Sequence, residues 1–205
     1  MFVSDKYKIT FIHIPKSAGT SLRKCLSEND ENFRQVGQGH SIIKDGMPKE
    51  IRDYKTFTVV RNPWDRMVSL YKFCTEIKTN SRIGPKGYFI PNKDIIGLDF
   101  NIWLTTKFHG VFKVKSLKGR SLTKIPQLEW IDMPNNKIAV DHILRFENIN
   151  EDFKSFCGEV GIPNYELPYM NKTNRKHYSE YYNDKSIDWV SKYFERDIKE
   201  FGYEF

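Results

Sequence analysis

The sequence predicts an α/β fold with a central, mainly parallel β-sheet flanked by helices. Residues 8–14, Lys-Ile-Thr-Phe-Ile-His-Ile, and residues 55–61, Lys-Thr-Phe-Thr-Val-Val-Arg, are short runs dense in β-branched and aromatic side chains. That is the composition of strands covered on both faces. Each run is followed by a turn and then by apolar residues at helical spacing. Further strand and helix patterns alternate down the chain, the order that builds parallel sheets through crossover helices.

The first strand stops at Pro15, and Ser17, Ala18 and Gly19 are small enough for a ligand to approach the backbone. Thr20 or Ser21 is placed to cap a helix through Leu22, Cys25 and Leu26. A helix start offers unpaired N–H groups and a partial positive charge, and Lys16 adds a full one. The loop from Lys16 to Ser21 therefore suits a phosphorylated ligand. After a polar turn, Gly37-Gln38-Gly39-His40 leaves His40 on a loop or at the end of a short strand. Residues 48–54 suit a short helix.

The second strand ends at Arg61. Asn62 is a good cap, Pro63 fits the first helical position and Asp65 favours the positive helix end. This helix should run to about residue 78 with Trp64, Met67, Val68 and Tyr71 inward; Ser69 lies on the stripe nearest Arg61. A Gly/Pro loop at 79–91, a helix over 94–108 and a basic segment at 107–124 follow. Residues 137–146 read as one or two strands and 147–160 as an amphipathic helix ended by Gly161 and Pro163. Residues 168–177 are polar and irregular, and a last helix runs from Asp184 to Gly202.

The 205 residues, 39% of them hydrophobic, suffice for one core, and no repeat divides them. We expect one domain over 1–205 with a basic variable insertion at about 79–126. The net charge of +7 favours anionic ligands. No basic stretch has the signature of a nucleic-acid module, so no nucleic-acid partner is expected. Three widely spaced cysteines, Cys25, Cys74 and Cys157, argue against a disulfide framework or a zinc site and for a reducing compartment. No signal-like or membrane-spanning run is present, so a cytoplasmic protein is expected.

Parallel sheets bind ligands at the carboxyl ends of their strands. Lys16 and Arg61 both follow such ends, so neighbouring strands would gather two cations on one crevice. The paired motifs Pro15-Lys16-Ser17-Ala18-Gly19-Thr20-Ser21 and Val60-Arg61-Asn62-Pro63-Trp64-Asp65-Arg66-Met67-Val68-Ser69-Leu70-Tyr71 resemble the sulfotransferases that use 3′-phosphoadenosine 5′-phosphosulfate (PAPS). The resemblance is to the carbohydrate branch with its heparan 2-O- and chondroitin enzymes. Arg145-Phe146-Glu147, Asn171-Lys172-Thr173 and Tyr178 resemble the family's later landmarks.

The resemblance implies the P-loop-like sulfotransferase fold and sulfuryl transfer from PAPS to a hydroxyl acceptor, a glycan or glycolipid first, with release of the bisphosphate PAP. Lys16, Ser17, Ala18, Gly19, Thr20 and Ser21 would hold the 5′-phosphosulfate. Arg61 and Ser69 would hold the 3′-phosphate, and Lys172, Thr173 and Tyr178 would close on the nucleotide. Lys16 would also stabilise the leaving phosphate oxygen. His40 matches the family's catalytic base, although Gln38 stands where the heparan enzymes carry a second histidine. Glu129 and Asp141 are fallback bases, and His13 reads as a core histidine. No metal is expected.

Two other functions compete. A small-molecule kinase would share the strand–loop–helix logic, but Gly-x-x-x-x-Gly-Lys-[Ser/Thr] is absent and Lys16 precedes Gly19. A nucleotide-binding module without catalysis would keep Lys16 and Arg61 and make His40 dispensable.

Overall fold

A computed structural model describes residues 1–37, 39–76, 97–105, 124–163, 166–168 and 175–205. They fall into two compact units, Met1–Arg61 with Gln127–Lys172, and Asn62–Pro126 with Thr173–Phe205. Among the described residues no helix is long and apolar enough to cross a membrane.

The first unit holds a five-stranded sheet, β1 (Phe2–Ser4), β2 (Ile9–Ile12), β3 (Arg34–Gln35), β4 (Lys55–Val60) and β5 (His142–Arg145), in the order β3-β1-β2-β4-β5. Strands β2, β4 and β5 are parallel, with Ile12 opposite Thr58 and Val60 opposite Arg145. The two expected strands are therefore neighbours. All four residues of β2 are buried, as are the last five of β4, which accounts for their apolar runs. Thr58 is accommodated there by donating its hydroxyl to the Ile12 carbonyl at 2.8 Å. β1 and β3 add antiparallel strands at one edge, and residues 137–146 contribute only the single strand β5.

Helices α1 (Gly19–Asn29), α4 (Leu128–Ile131) and α5 (Ile149–Val160) belong to this unit. Leu22, Cys25 and Leu26 of α1 and Phe153, Phe156 and Cys157 of α5 pack with Phe11, Phe57 and Val59 into one core. Burial pushes the Cys25 and Cys157 thiols up to about 11 and about 12, so both are un-ionised core groups. Residues 48–54 make a single 3-10 turn, Lys49–Ile51, in place of the expected helix.

The second unit contains α2 (Pro63–Glu76), α3 (Phe100–Thr105), α6 (Asp184–Tyr193) and α7 (Glu195–Phe201). Asn62 caps α2 as expected, its Oδ1 accepting from the N–H groups of Trp64 at 3.0 Å and Asp65 at 3.3 Å. The last helix is in fact two, broken at Phe194, whose buried ring serves as the shared anchor. The loop at 79–91 and most of the basic segment lie outside the described residues. Its last lysine, Lys124, donates to the Trp103 and Leu104 carbonyls at 3.1 and 2.6 Å, closing the end of α3.

Candidate active site

The parallel register brings the ends of β2, β4 and β5 to one edge of the sheet, where the chain leaves β2 through His13, Ile14 and Pro15. Lys16 and Ala18 then take left-handed backbones, with φ of 69° and 57°, on either side of Ser17. Each such residue costs about 1–2 kcal/mol when it is not glycine, so the turn is imposed by its surroundings. Alternating backbone hand turns successive N–H groups toward one point, the geometry of an anion nest. The Ser17 hydroxyl is buried beneath it without a hydrogen-bond partner. Helix α1 starts immediately afterwards, its first N–H groups pointing out of the helix end. Nest, helix start and Lys16 ammonium together fit a phosphate-type anion.

Neither Thr20 nor Ser21 caps α1, contrary to expectation. Ala18 occupies the cap position and no side chain accepts there. The start is set instead by His13, because a Cβ on Gly19 would lie 1.9 Å from His13 Nε2. Gly19 is small to admit an imidazole, where the sequence suggested room for a ligand.

His13 is a core histidine, as expected, with its ring centroid 5.5 Å from Phe11 and 5.9 Å from Phe2. Burial holds its pKa well below the ordinary histidine range. It also organises His40, whose ring centroid lies 4.4 Å away. His40 Nδ1 is 3.0 Å from the His13 carbonyl oxygen. A carbonyl only accepts, so Nδ1 carries the proton and the basic lone pair belongs to Nε2. Burial lowers the His40 pKa, against the opposing pull of that hydrogen bond. The neutral, base-competent ring is therefore the form present near pH 7.

Arg61 follows β4 and is held on three sides. The side chain of Gln127 clamps its backbone, accepting from the Arg61 N–H and donating to the Arg61 carbonyl, both at 2.8 Å. The guanidinium lies over the Phe146 ring at 3.8 Å, and Nη1 donates to the Lys16 carbonyl at 3.0 Å. Arg61 and the Lys16 loop thus converge, as adjacency of β2 and β4 requires.

A sequence model of the sulfotransferase family matches residues 1–204. The chain belongs to the sulfotransferase family. Carbohydrate sulfotransferase 10 of Rattus norvegicus is 32% identical over 88 residues, 35% of this chain and 25% of that protein. The human and Xenopus laevis proteins of the same name are 30% and 28% identical over stretches of the same length. The chain spans about a quarter of the length of these relatives.

Against that family pattern the remaining residues divide. Asp141 accepts from the Thr56 N–H at 2.7 Å and hydroxyl at 2.8 Å, at the start of β4, the end opposite to Lys16 and Arg61. It clamps the strand end remote from the loop and does not face the place where a base would act. Glu129 lies on α4 beside Trp130, whose ring is 6.1 Å from His40. Ser69 is buried on α2, and Tyr178 opens a 3-10 turn, Tyr178–Tyr181; both belong to the second unit. Lys172 and Thr173 lie outside the described residues. Two positioning roles were not readable from the sequence, although Phe146 stands in one of its landmarks. Gln127 carries no signal beyond being a polar residue before an apolar triplet, and the role of Phe146 as the platform for Arg61 requires the β4–β5 register.

Proposed function

We propose that this chain transfers a sulfuryl group from PAPS to a hydroxyl of a carbohydrate and releases PAP. The observation that carries the proposal is the convergence at one sheet edge of the Lys16–Ala18 nest, Arg61, and a neutral His40 whose basic nitrogen is Nε2. The likeness to proteins named carbohydrate sulfotransferase 10 supports a sugar acceptor.

PAPS supplies the sulfuryl group. His40 Nε2 takes the proton from the acceptor hydroxyl as that oxygen bonds to sulfur and the bond from sulfur to the phosphate oxygen breaks. The protein's part is positioning and charge stabilisation. Lys16 and the nest N–H groups stabilise negative charge on the departing phosphate oxygen. The planar fork of Arg61, preset by Phe146 and Gln127, holds the 3′-phosphate, and this second phosphate contact separates PAPS from its simpler analogues. A cytoplasmic location is part of the same reading and rests on the three widely spaced cysteines of the sequence.

The test is binding. PAP should raise the melting temperature without added Mg²⁺, and ATP with Mg²⁺ should have little effect; the reverse would favour a kinase. Arg61→Ala should weaken PAP by about 1.5–3 kcal/mol, the cost of a charged hydrogen bond. Unchanged affinity would remove Arg61 from the 3′-phosphate.

A further inference from the structure

We propose that Trp130 is a positioning residue for His40, and that the short helix α4 joins the seat of the base to the clamp on Arg61. The inference rests on the sulfotransferase reading above and concerns how its base is held.

His40 needs holding. It sits in a stretch without regular secondary structure, three residues after the left-handed Gly37 (φ 65°), and it is only half-buried. A general base acts within hydrogen-bond reach of the proton it takes, about 2.6–3.2 Å, so the direction of Nε2 matters as much as its basicity. The bond from Nδ1 to the His13 carbonyl fixes one edge of the ring. That bond alone would let the ring swing about it. Two aromatic rings bound the swing, His13 at 4.4 Å and 45° and Trp130 at 6.1 Å and 69°. The second contact is edge-to-face, within the range of about 4.5–7 Å that such pairs prefer. Supports at two different tilts restrict a rotation that one carbonyl permits.

Trp130 is itself firmly set. It has no exposed surface. Its N–H donates to the Gln127 carbonyl at 3.1 Å, and the N–H groups of Asp132 and Ala139 donate to the Leu128 and Ile131 carbonyls, both at 2.8 Å. The last of these ties the end of α4 to the chain that enters β5. The indole N–H is buried without a hydrogen-bond partner, a cost that an apolar side chain of similar shape would avoid. What the position uses is therefore the ring and not a bond from its nitrogen.

The same helix reaches Arg61. Gln127, at the start of α4, makes the two 2.8 Å hydrogen bonds to the Arg61 backbone. The step of three residues from Gln127 to Trp130 is nearly one helical turn. Helix α4 also packs against the 3-10 turn Ile43–Asp45, which follows His40 in the chain. The element that aims the arginine thus aims the base as well, and a packed, rigid element transmits displacement from one end to the other.

The test reads the imidazoles directly, in the full chain labelled with ¹⁵N-histidine near pH 7.5, with His40 assigned through His40→Gln. In the unsubstituted chain His40 should be the Nδ1–H tautomer, with a ring as rigid as that of His13. Trp130→Leu should cut the excess of that tautomer by about two- to tenfold, the range spanned by weakening one neutral hydrogen bond. Trp130→Phe should retain most of the excess, and Gln127→Ala should reproduce part of the loss. A mobile His40 ring or the opposite tautomer in the unsubstituted chain would overturn the proposal, and this arm decides even where Trp130→Leu does not fold. A lower melting temperature with an unchanged tautomer in Trp130→Leu would reduce Trp130 to core packing. An unchanged tautomer in Gln127→Ala would sever the link to Arg61. PAP is titrated separately: its failure to bind would strike at the sulfotransferase reading and leave the histidine spectra to judge Trp130.

Discussion

Replacing Gln127 by alanine tests the construction of the site most directly. Its side chain is fully buried, and its two hydrogen bonds to the backbone of Arg61 bridge 66 residues of sequence. Each such bond contributes about 0.5–1.5 kcal/mol net, and a buried donor or acceptor deprived of its partner costs about 1–3 kcal/mol. Losing both therefore destabilises the protein by roughly 2–4 kcal/mol. The loss also frees the segment that aims Arg61, so PAP affinity should fall even where the variant is folded. Urea denaturation gives the stability and calorimetric titration at low urea gives the affinity. In an Arg61→Ala background the affinity effect of Gln127→Ala should disappear, because the residue it positions is gone. A destabilisation below about 1 kcal/mol, or an affinity loss that persists without Arg61, would refute the clamp.

Other expectations follow from the same geometry. His40→Ala should slow transfer by about 10²–10⁴-fold, the usual worth of a general base, while sparing PAP affinity; full activity would remove it as the base. Gly19→Ala should cost at least about 1–3 kcal/mol by overpacking against His13, and the double variant with His13→Ala should cost less than the sum of the two single changes, read by denaturation. Both His13 and His40 have folded pKa values below the ordinary value of about 6.5. The unfolded chain therefore binds more protons, and their contribution, complete above about pH 6.5, is lost as pH falls through the folded values. The melting temperature should drop on acidification from pH 7.5, and less so in His40→Gln; identical profiles would contradict the assignment.

The central strands were legible because each is buried along nearly its whole length and so lacks polar interruptions. The Asn62 cap was legible because capping is local chemistry. Strand β1 was not, since three residues are too few to display a period, and two-residue β3 shows none. The start of α1 was misread for a different reason. Thr20 and Ser21 are competent caps, but a contact between Gly19 and His13, made through the tertiary fold, decides where the helix begins. The break at Phe194 hides in the sequence because the apolar spacing continues unbroken across it. Lys16, Arg61 and His40 could be singled out from motif and resemblance. That the carbonyl of His13 sets the tautomer of His40 required coordinates, because 27 residues separate the two.

The left-handed residues at Lys16 and Ala18 also bear on how quickly a donor can be exchanged. The surrounding fold already enforces the turn, so an arriving anion finds its N–H groups aimed and has no loop to order. The entropy of folding the loop is thus not charged to binding. Engagement of this turn should then approach the rate allowed by orientation and electrostatic steering, and should fall with ionic strength. Turnover would be governed by how tightly the spent nucleotide is retained, which places the rate of the cycle in the contacts of Arg61 as much as in the chemistry at His40.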